Sequence, residues 1–129
     1  MLKKKNLLAL ALAGALGGIG GTAAAEGDPA KGERLFVRCK ACHVVDATTN
    51  RVGPHLVGLF GRHAGEVEGF NYSDAMKNAD IVWDEETIDA YLADPRGYIA
   101  GNKMAFPGLK KEEERADVIA YLKEATQAQ

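Results

Sequence analysis

The sequence predicts an all-α domain in which a few short helices are joined by long loops. Apolar residues recur at helical spacing in segments that follow a capping residue, and no segment after residue 25 shows a convincing strand pattern or repeat. Glycine, proline and asparagine interrupt this periodicity, above all between residues 44 and 71. A loop of that length is uncommon in a compact domain unless it serves a function. We therefore expect the loops to wrap a bound group.

Two helices are predicted in the first half of the domain. Asp28 followed by Pro29 has the pattern of an N-cap and a first helical residue, and this helix is expected to run to the region of Cys39. Ser73 is expected to cap a short helix that ends near Asn78.

Two further helices are predicted after residue 80. Asp84 caps a segment that Pro95 ends, because the residue before a proline is pushed out of the helical region. A second loop, residues 101–108, precedes the last helix, whose glutamates at 112–114 suit its positive end and whose Lys123 suits its negative end. The predicted buried face of this last helix consists of Val118, Tyr121 and Leu122.

The first 25 residues have the pattern of a signal peptide. Lysines at positions 3–5 precede an apolar run over residues 7–16, and the segment ends on Ala23-Ala24-Ala25, a small-residue cleavage site. The alternative is an uncleaved anchor, but five glycines between residues 14 and 21 make a poor membrane-spanning helix. We expect cleavage after Ala25, a periplasmic location and a mature domain of residues 26–129.

The predicted mature domain is mildly acidic. Three of the 16 basic residues and none of the 18 acidic residues lie in the signal segment, which leaves 13 basic residues and a formal charge of −5. This sign opposes the attraction that drives binding to nucleic acid or to anionic membrane surfaces. Neither partner is expected.

The segment Cys39-Lys40-Ala41-Cys42-His43 has the C-x-x-C-H spacing of covalent haem attachment. Two cysteines at this spacing can each form a thioether with one porphyrin vinyl group, and the histidine that follows is then held below the iron. Thioredoxin-type redox sites share the C-x-x-C pattern but need a βαβ context, which is absent. A structural zinc site would need a second pair of ligands, and the chain has only two cysteines. Haem attachment is the favoured interpretation.

A haem held by one histidine needs an occupant for its other face, and the mature chain offers Met76 and Met104. Met104 lies in the glycine-bounded loop of residues 101–108, which can bring backbone and sulfur close to a flat ring. An isolated methionine is more often core filler than a ligand. Met76 is therefore interpreted as a core residue. For Met104 the residues alone leave both roles open, core residue or iron ligand.

The sequence from residue 27 to residue 126 resembles the class I, mitochondrial-type cytochrome c family and its soluble bacterial members. The resemblance implies a small single-haem cytochrome c fold for residues 26–129, with crossed N- and C-terminal helices, a middle helix and long haem-wrapping loops. It also implies one haem c, covalently bound through Cys39 and Cys42, with His43 and Met104 as the iron ligands. Besides the haem motif, the matching stretches are residues 27–36, 53–54, 58–62, 69–70, 83, 91–92, 98–99, 103–104 and 119–122.

The same resemblance implies a set of residues around the haem. Pro54 should accept the Nδ1 proton of His43 through its carbonyl, and Tyr91 should direct its hydroxyl towards the Met104 sulfur. Asn102 stands where the family often has threonine and is expected to hydrogen-bond near the same side of the haem. The positions that hold the haem propionates are matched by Arg62, Tyr72 and Trp83.

Two residues near the haem depart from the family pattern. Met76 stands where mitochondrial members usually have asparagine, which removes a buried hydrogen-bonding group. Ala100 replaces a common proline before Gly101, which leaves the methionine loop less restrained. His55 and His63 have no ligand counterpart in the family and are interpreted as ordinary polar residues.

The function implied by the resemblance is that of a soluble one-electron carrier and not of an enzyme. Histidine and methionine together leave no open iron position, which suits electron transfer and disfavours a small-molecule substrate. The expected partners are redox complexes in the membrane, met transiently through the haem edge: a quinol-oxidising complex as donor and a terminal oxidase, a reaction centre or another reductase as acceptor. A monomer is expected. The alternatives are a haem peroxidase or gas sensor with a dissociable methionine, or, without haem, a dithiol enzyme.

Overall fold

A computed structural model describes residues 26–127, so the predicted signal segment of residues 1–25 lies outside the described residues. The described chain contains no strand, only one isolated antiparallel bridge between His63 and Val82. The all-α prediction is confirmed. The helices are α1 (Pro29–Lys40), α2 (Asp74–Lys77), α3 (Glu85–Ala93), α4 (Pro95–Tyr98) and α5 (Glu112–Ala125).

The three predicted N-caps are formed by side-chain hydrogen bonds. The Asp28 carboxylate accepts the backbone N–H of Ala30 at 2.9 Å, and the Ser73 hydroxyl accepts that of Met76 at 3.1 Å. Asp84 and Thr87 form a reciprocal capping box at the start of α3. The local pattern of the sequence was therefore sufficient to locate these helix starts.

The short helix α4 was not predicted, because Pro95 was interpreted only as the end of α3. Asp94 accepts the backbone N–H of Gly97 at 3.1 Å, and proline occupies the first helical position. The same Asp-Pro pair therefore ends α3 and begins one further helical turn. This turn carries the chain into the loop of residues 101–108.

Helices α1 and α5 cross in close contact, and glycine makes the crossing possible. A Cβ atom at Gly32 would overlap the backbone carbonyl of Asp117 on α5. Beside this point the rings of Phe36 and Tyr121 pack with centroids 5.3 Å apart. The backbone N–H of Asp28 donates to the Asp117 carboxylate at 2.8 Å, which fixes the start of α1 on α5.

The face that α5 buries differs by one residue from the predicted face. Val118 and Leu122 are buried as expected, but Ile119 is buried and Tyr121 is only half-buried. Tyr121 lies at the edge of the crossing, where its ring covers Phe36 and stays partly in contact with solvent.

Helix α3 also packs against α5. Asp89 accepts from Arg115 Nε at 2.8 Å, and Glu85 forms an ion pair with Lys123. No helix within residues 26–127 has the length and apolar character needed to cross a membrane.

The long loop of residues 44–71 is held to the rest of the domain through its backbone. Gly58 donates to the carbonyl of Thr126 at 2.6 Å, and Gly61 donates to that of Trp83 at 2.7 Å. Trp83 in turn donates to the carbonyl of Arg62 at 2.9 Å. Residues 58–62 in the middle of the loop are thus anchored near α3 and α5, and the loop lines the cavity between these helices and α1.

We predict that Gly32→Ala destabilises the protein by about 2 kcal/mol, because a methyl group cannot fit against the Asp117 carbonyl without moving α5. In a helix without such a contact, alanine in place of glycine would raise stability by about 1 kcal/mol. A loss of stability would therefore report the close contact between α1 and α5. The measurement is denaturant unfolding of the haem-loaded protein. Glu33→Ala, an exposed change on the same helix, should shift stability by no more than about 0.5 kcal/mol. An unchanged or raised stability of Gly32→Ala would contradict the close crossing.

Candidate functional site

A cavity of about 300 Å³ lies at the centre of the domain. Its wall is formed by the end of α1, the loop of residues 44–71, helices α2, α3 and α5, and the loop of residues 101–108. Most of the wall is apolar, and its apolar side chains are Val52, Leu56, Leu59, Phe70, Met76, Trp83, Ile88, Leu92, Phe106 and Leu122. A wall of this kind suits a large apolar group.

The C-x-x-C-H motif lies in the wall at the end of α1. Cys42 and His43 both donate their backbone N–H groups to the carbonyl of Cys39, at 3.0 and 2.9 Å. This turn brings all three side chains to the cavity. The two thiols are not joined in a disulfide, and burial, with the nearby Cys42, raises the pKa of Cys39. A dithiol enzyme needs a lowered thiol pKa, so this environment argues against that alternative.

His43 is oriented by a hydrogen bond to the backbone. Its Nδ1 lies 2.8 Å from the carbonyl oxygen of Pro54, which accepts only if Nδ1 carries the proton, leaving the Nε2 lone pair free to bind a metal. Burial lowers the pKa of His43 more than the hydrogen bond to Pro54 raises it, and the charge of Arg62 lowers it further, which favours the neutral ring that a metal needs. A Cβ atom at Gly53 would overlap this ring. Gly53 therefore belongs to the site through its lack of a side chain.

Met104 and Tyr91 meet in the wall of the cavity. The Tyr91 hydroxyl lies 3.8 Å from the Met104 sulfur and 3.4 Å from Asn102 Oδ1. Burial raises the pKa of Tyr91 to about 12, so the hydroxyl keeps its proton at neutral pH and acts as a donor. Met76 also lines the cavity, so position alone does not separate the two methionines.

Asn102, which the resemblance places near the haem, is not among the described residues that line the cavity. Its amide nitrogen donates to the carbonyls of Pro95 and Ile99, and its oxygen accepts the backbone N–H of Met104. The amide is thus engaged by the protein's own backbone, and a contact of Asn102 with the cofactor stays a prediction.

Three of the predicted residues, Arg62, Tyr72 and Trp83, line the cavity together. Arg62 donates through Nη1 to the carbonyls of His55 and Val57, at 2.9 and 3.3 Å, while its Nε is buried without a partner among the described residues. A buried donor of this kind calls for an acceptor, and a carboxylate is the best match for a guanidinium.

Tyr72 adds a second donor to this part of the wall. Its hydroxyl accepts the backbone N–H of Val67 at 3.1 Å, which leaves the hydroxyl proton free to donate. The wall thus combines apolar surface, two cysteines, one neutral histidine, a methionine sulfur and two donors for anions. These residues fit a haem, whose ring is apolar and whose propionates are anionic.

The remaining predicted polar residues stay outside the site. His55 and His63 do not line the cavity. Across residues 26–127 no group of three or more histidine, cysteine or acidic side chains is arranged to hold a metal ion.

Comparison with known proteins identifies the family. The family model for cytochrome c matches residues 29–126. The chain belongs to the cytochrome c family. It is 52% identical to cytochrome c of Sesamum indicum over 102 residues, which cover 78% of this chain and 92% of the relative. It is 53% identical to cytochrome c of Chlamydomonas reinhardtii over 102 residues, 78% of this chain and 91% of the relative. Identity to cytochrome c2 of Rhodomicrobium vannielii is 52% over 102 residues, 78% of this chain and 82% of the relative.

Membership of the cytochrome c family settles the cofactor and the general activity. The family binds one covalent haem c, and Cys39 and Cys42 supply the attachment pair of this chain. Family members are electron-transfer proteins, so this chain is a haem-based electron carrier and not an enzyme.

We predict that Met104→Ala and Met76→Ala behave differently although both residues line the cavity. Loss of a methionine ligand should open the iron, lower the potential and let carbon monoxide bind the ferrous protein. We expect these changes in Met104→Ala only, together with loss of the far-red absorption of methionine-ligated ferric haem. The measurements are absorption spectroscopy and redox titration. Loss of that absorption in Met76→Ala, with its retention in Met104→Ala, would reverse the assignment.

Proposed function

We propose that this cytochrome carries single electrons between membrane redox complexes, taking them from a quinol-oxidising complex and passing them to a terminal oxidase, a reaction centre or another reductase. The observation that carries the proposal is the cavity wall, in which His43 and Met104 accompany the attachment cysteines. When bound between a histidine and a methionine, the haem exchanges one electron reversibly without an open coordination position. The protein's contribution is to hold both ligands and to exclude water.

His43 and Met104 are held by different means. The hydrogen bond to Pro54 fixes the histidine ring in one tautomer, and the turn at the end of α1 fixes its backbone. The Met104 backbone is held by Asn102, and its sulfur lies beside the buried hydroxyl of Tyr91. Apolar side chains surround both, which keeps the surroundings of the iron from rearranging strongly when its charge changes.

Partners are proposed to meet the protein where the cavity opens to solvent. Four residues that line the cavity are exposed, and we call them the cavity mouth: Arg38, Val52, Lys103 and Ala105. Two of them are basic and two are apolar; Val52 is 78% exposed. None of the described residues that line the cavity is acidic. The mouth therefore favours a partner with an apolar contact point surrounded by carboxylates.

The acidic residues lie elsewhere and account for the negative total charge. Glu86 belongs to the first turn of α3, and Glu112 and Glu113 to the first turn of α5, where they complement helix dipoles. An overall charge of −5 for residues 26–129 is thus compatible with a basic mouth. The resulting separation of charge would orient the protein as it approaches an acidic partner.

We predict that Arg38→Glu with Lys103→Glu slows electron transfer at least tenfold at low ionic strength, because the changes reverse the charge of both basic residues of the cavity mouth. The measurement is stopped-flow reduction of the ferric protein by a purified quinol-oxidising complex. The wild-type rate should fall as salt is raised, since salt screens exposed charges. The matched control is Glu86→Lys with Glu113→Lys, which should leave the rate unchanged or raise it. A rate that ignores salt, or that suffers equally from the control, would exclude the mouth as the docking surface.

Export to the periplasm is proposed from the sequence of residues 1–25, which has the three parts of a signal peptide. Two cysteines in an exported protein would ordinarily suggest a disulfide, and their C-x-x-C-H spacing assigns both to haem attachment instead. The match to the family model starts at residue 29, after the proposed cleavage site.

We predict that the mature protein begins at Glu26 when the full chain is expressed in a bacterium with a haem-attachment system. Osmotic-shock fractionation followed by N-terminal sequencing of the red protein measures this. Replacing Ala23 and Ala25 by bulky residues should block cleavage and leave the protein on the membrane. Recovery of red protein with an intact Met1 in the soluble fraction would contradict the proposal.

A further inference from the structure

The loop that carries Met104 has few restraints of its own. The described chain has no helix or strand between residues 99 and 111, so no ladder of backbone hydrogen bonds fixes the position of Met104. The loop begins at Gly101, whose φ is +90°, a conformation that favours glycine, and the exposed Ala100 before it allows the backbone more freedom than a proline would. The backbone is tied at the ends, by Asn102 N–H to Ile99 at 3.2 Å and by Leu109 N–H to Leu92 at 2.7 Å.

The side chain of Asn102 supplies a restraint in the middle of this loop. Its nitrogen donates to the carbonyls of Pro95 and Ile99 at 2.7 and 2.9 Å, which ties it to α4. Its oxygen accepts the backbone N–H of Met104 at 2.8 Å. Both N–H donors of the Asn102 amide and one lone pair of its oxygen are thus engaged. Because two carbonyl oxygens lie on one side of the amide, that side must be the nitrogen, which fixes the orientation of the group.

The remaining acceptor capacity of Asn102 faces Tyr91. The Tyr91 hydroxyl lies 3.4 Å from Asn102 Oδ1 and 3.8 Å from the Met104 sulfur, and it has one proton to give. A methionine that binds iron uses a sulfur lone pair, and a hydrogen bond to the sulfur competes for that density. Asn102 offers the hydroxyl an alternative acceptor while it holds the Met104 backbone.

We propose that Asn102 is the positioning residue for the methionine ligand: it clamps the Met104 backbone to α4 and shares the proton of Tyr91. The inference rests on the proposed role of Met104 as an iron ligand. It assigns Asn102 a task of its own in the loop, since its amide is engaged with the backbone at Pro95, Ile99 and Met104. A side-chain clamp of this kind compensates for the missing restraint at Ala100.

The test replaces Asn102 by leucine, which has a similar shape and no hydrogen bonds, and by aspartate, which keeps the acceptor for Met104 but loses both donors. The control is Asn78→Leu, an exposed asparagine with no side-chain hydrogen bond among the described residues. Two properties of the haem-loaded protein are measured: imidazole affinity of the ferric form, by absorption, and exchange of the Met104 amide proton in the ferrous form, by NMR.

We expect Asn102→Leu to raise imidazole affinity at least tenfold and to speed Met104 amide exchange at least tenfold. Asn102→Asp should fall between wild type and the leucine variant, and Asn78→Leu should stay within twofold of wild type. Unchanged imidazole affinity and amide exchange in Asn102→Leu would overturn the clamp. Gly32→Ala serves as a second comparison, because it weakens the fold far from this loop. If it raised imidazole affinity as much as Asn102→Leu, general destabilisation would explain the effect and the positioning role would be wrong.

A failure of the ligand assignment is distinguishable from a failure of the clamp. If Met104→Ala left imidazole affinity at the wild-type value, Met104 would not be the ligand and the proposed ligation would fail. The amide exchange of Met104 in Asn102→Leu would still report whether Asn102 holds the loop.

Discussion

Part of the hydrophobic core also forms the wall of the cavity, so the packing of the domain and the binding of its cofactor share contacts. Leu59, Trp83, Ile88 and Leu122 are buried in the core cluster and line the cavity as well. Leaving about 300 Å³ unfilled would cost roughly 7 kcal/mol at the rate known for core cavities, an upper bound because the mouth is open. That cost is comparable to the whole stability of a small domain. The haem is therefore a structural part of the core as well as the redox centre.

The sequence predicts best those features that are set by neighbouring residues. Capping residues located the starts of α1, α2 and α3, and the C-x-x-C-H spacing located the attachment site, because each depends on hydrogen bonds or bond lengths within a few positions. Prediction was weaker where distant segments decide. The half-exposure of Tyr121 follows from its place at the contact between α1 and α5, where its ring packs on Phe36. The engagement of Asn102 follows from carbonyls that α4 presents to it, and α4 was not expected.

The two sides of the site differ in how their geometry is produced. On the histidine side the turn after α1, the Pro54 carbonyl and the absent side chain of Gly53 leave the ring one orientation. On the methionine side the position of Met104 in an irregular loop depends on the Asn102 amide and the Tyr91 hydroxyl. Loops with few backbone hydrogen bonds open at lower free energy than helices do. The methionine side is accordingly where this protein's redox properties are most open to adjustment by single substitutions.

The local origin of the turn at residues 39–43 has a consequence for biosynthesis. Its two turn hydrogen bonds lead back to the carbonyl of Cys39, and its contacts with Gly53 and Pro54 involve the loop that follows directly. None of these hydrogen bonds involves α3, α5 or the methionine loop. The motif also lies early in the chain, and the N-terminal part of a protein leaves the ribosome first. A maturation enzyme can therefore recognise and load the motif while the rest of the polypeptide is still unfolded. The later segments then fold around a group that is already covalently in place.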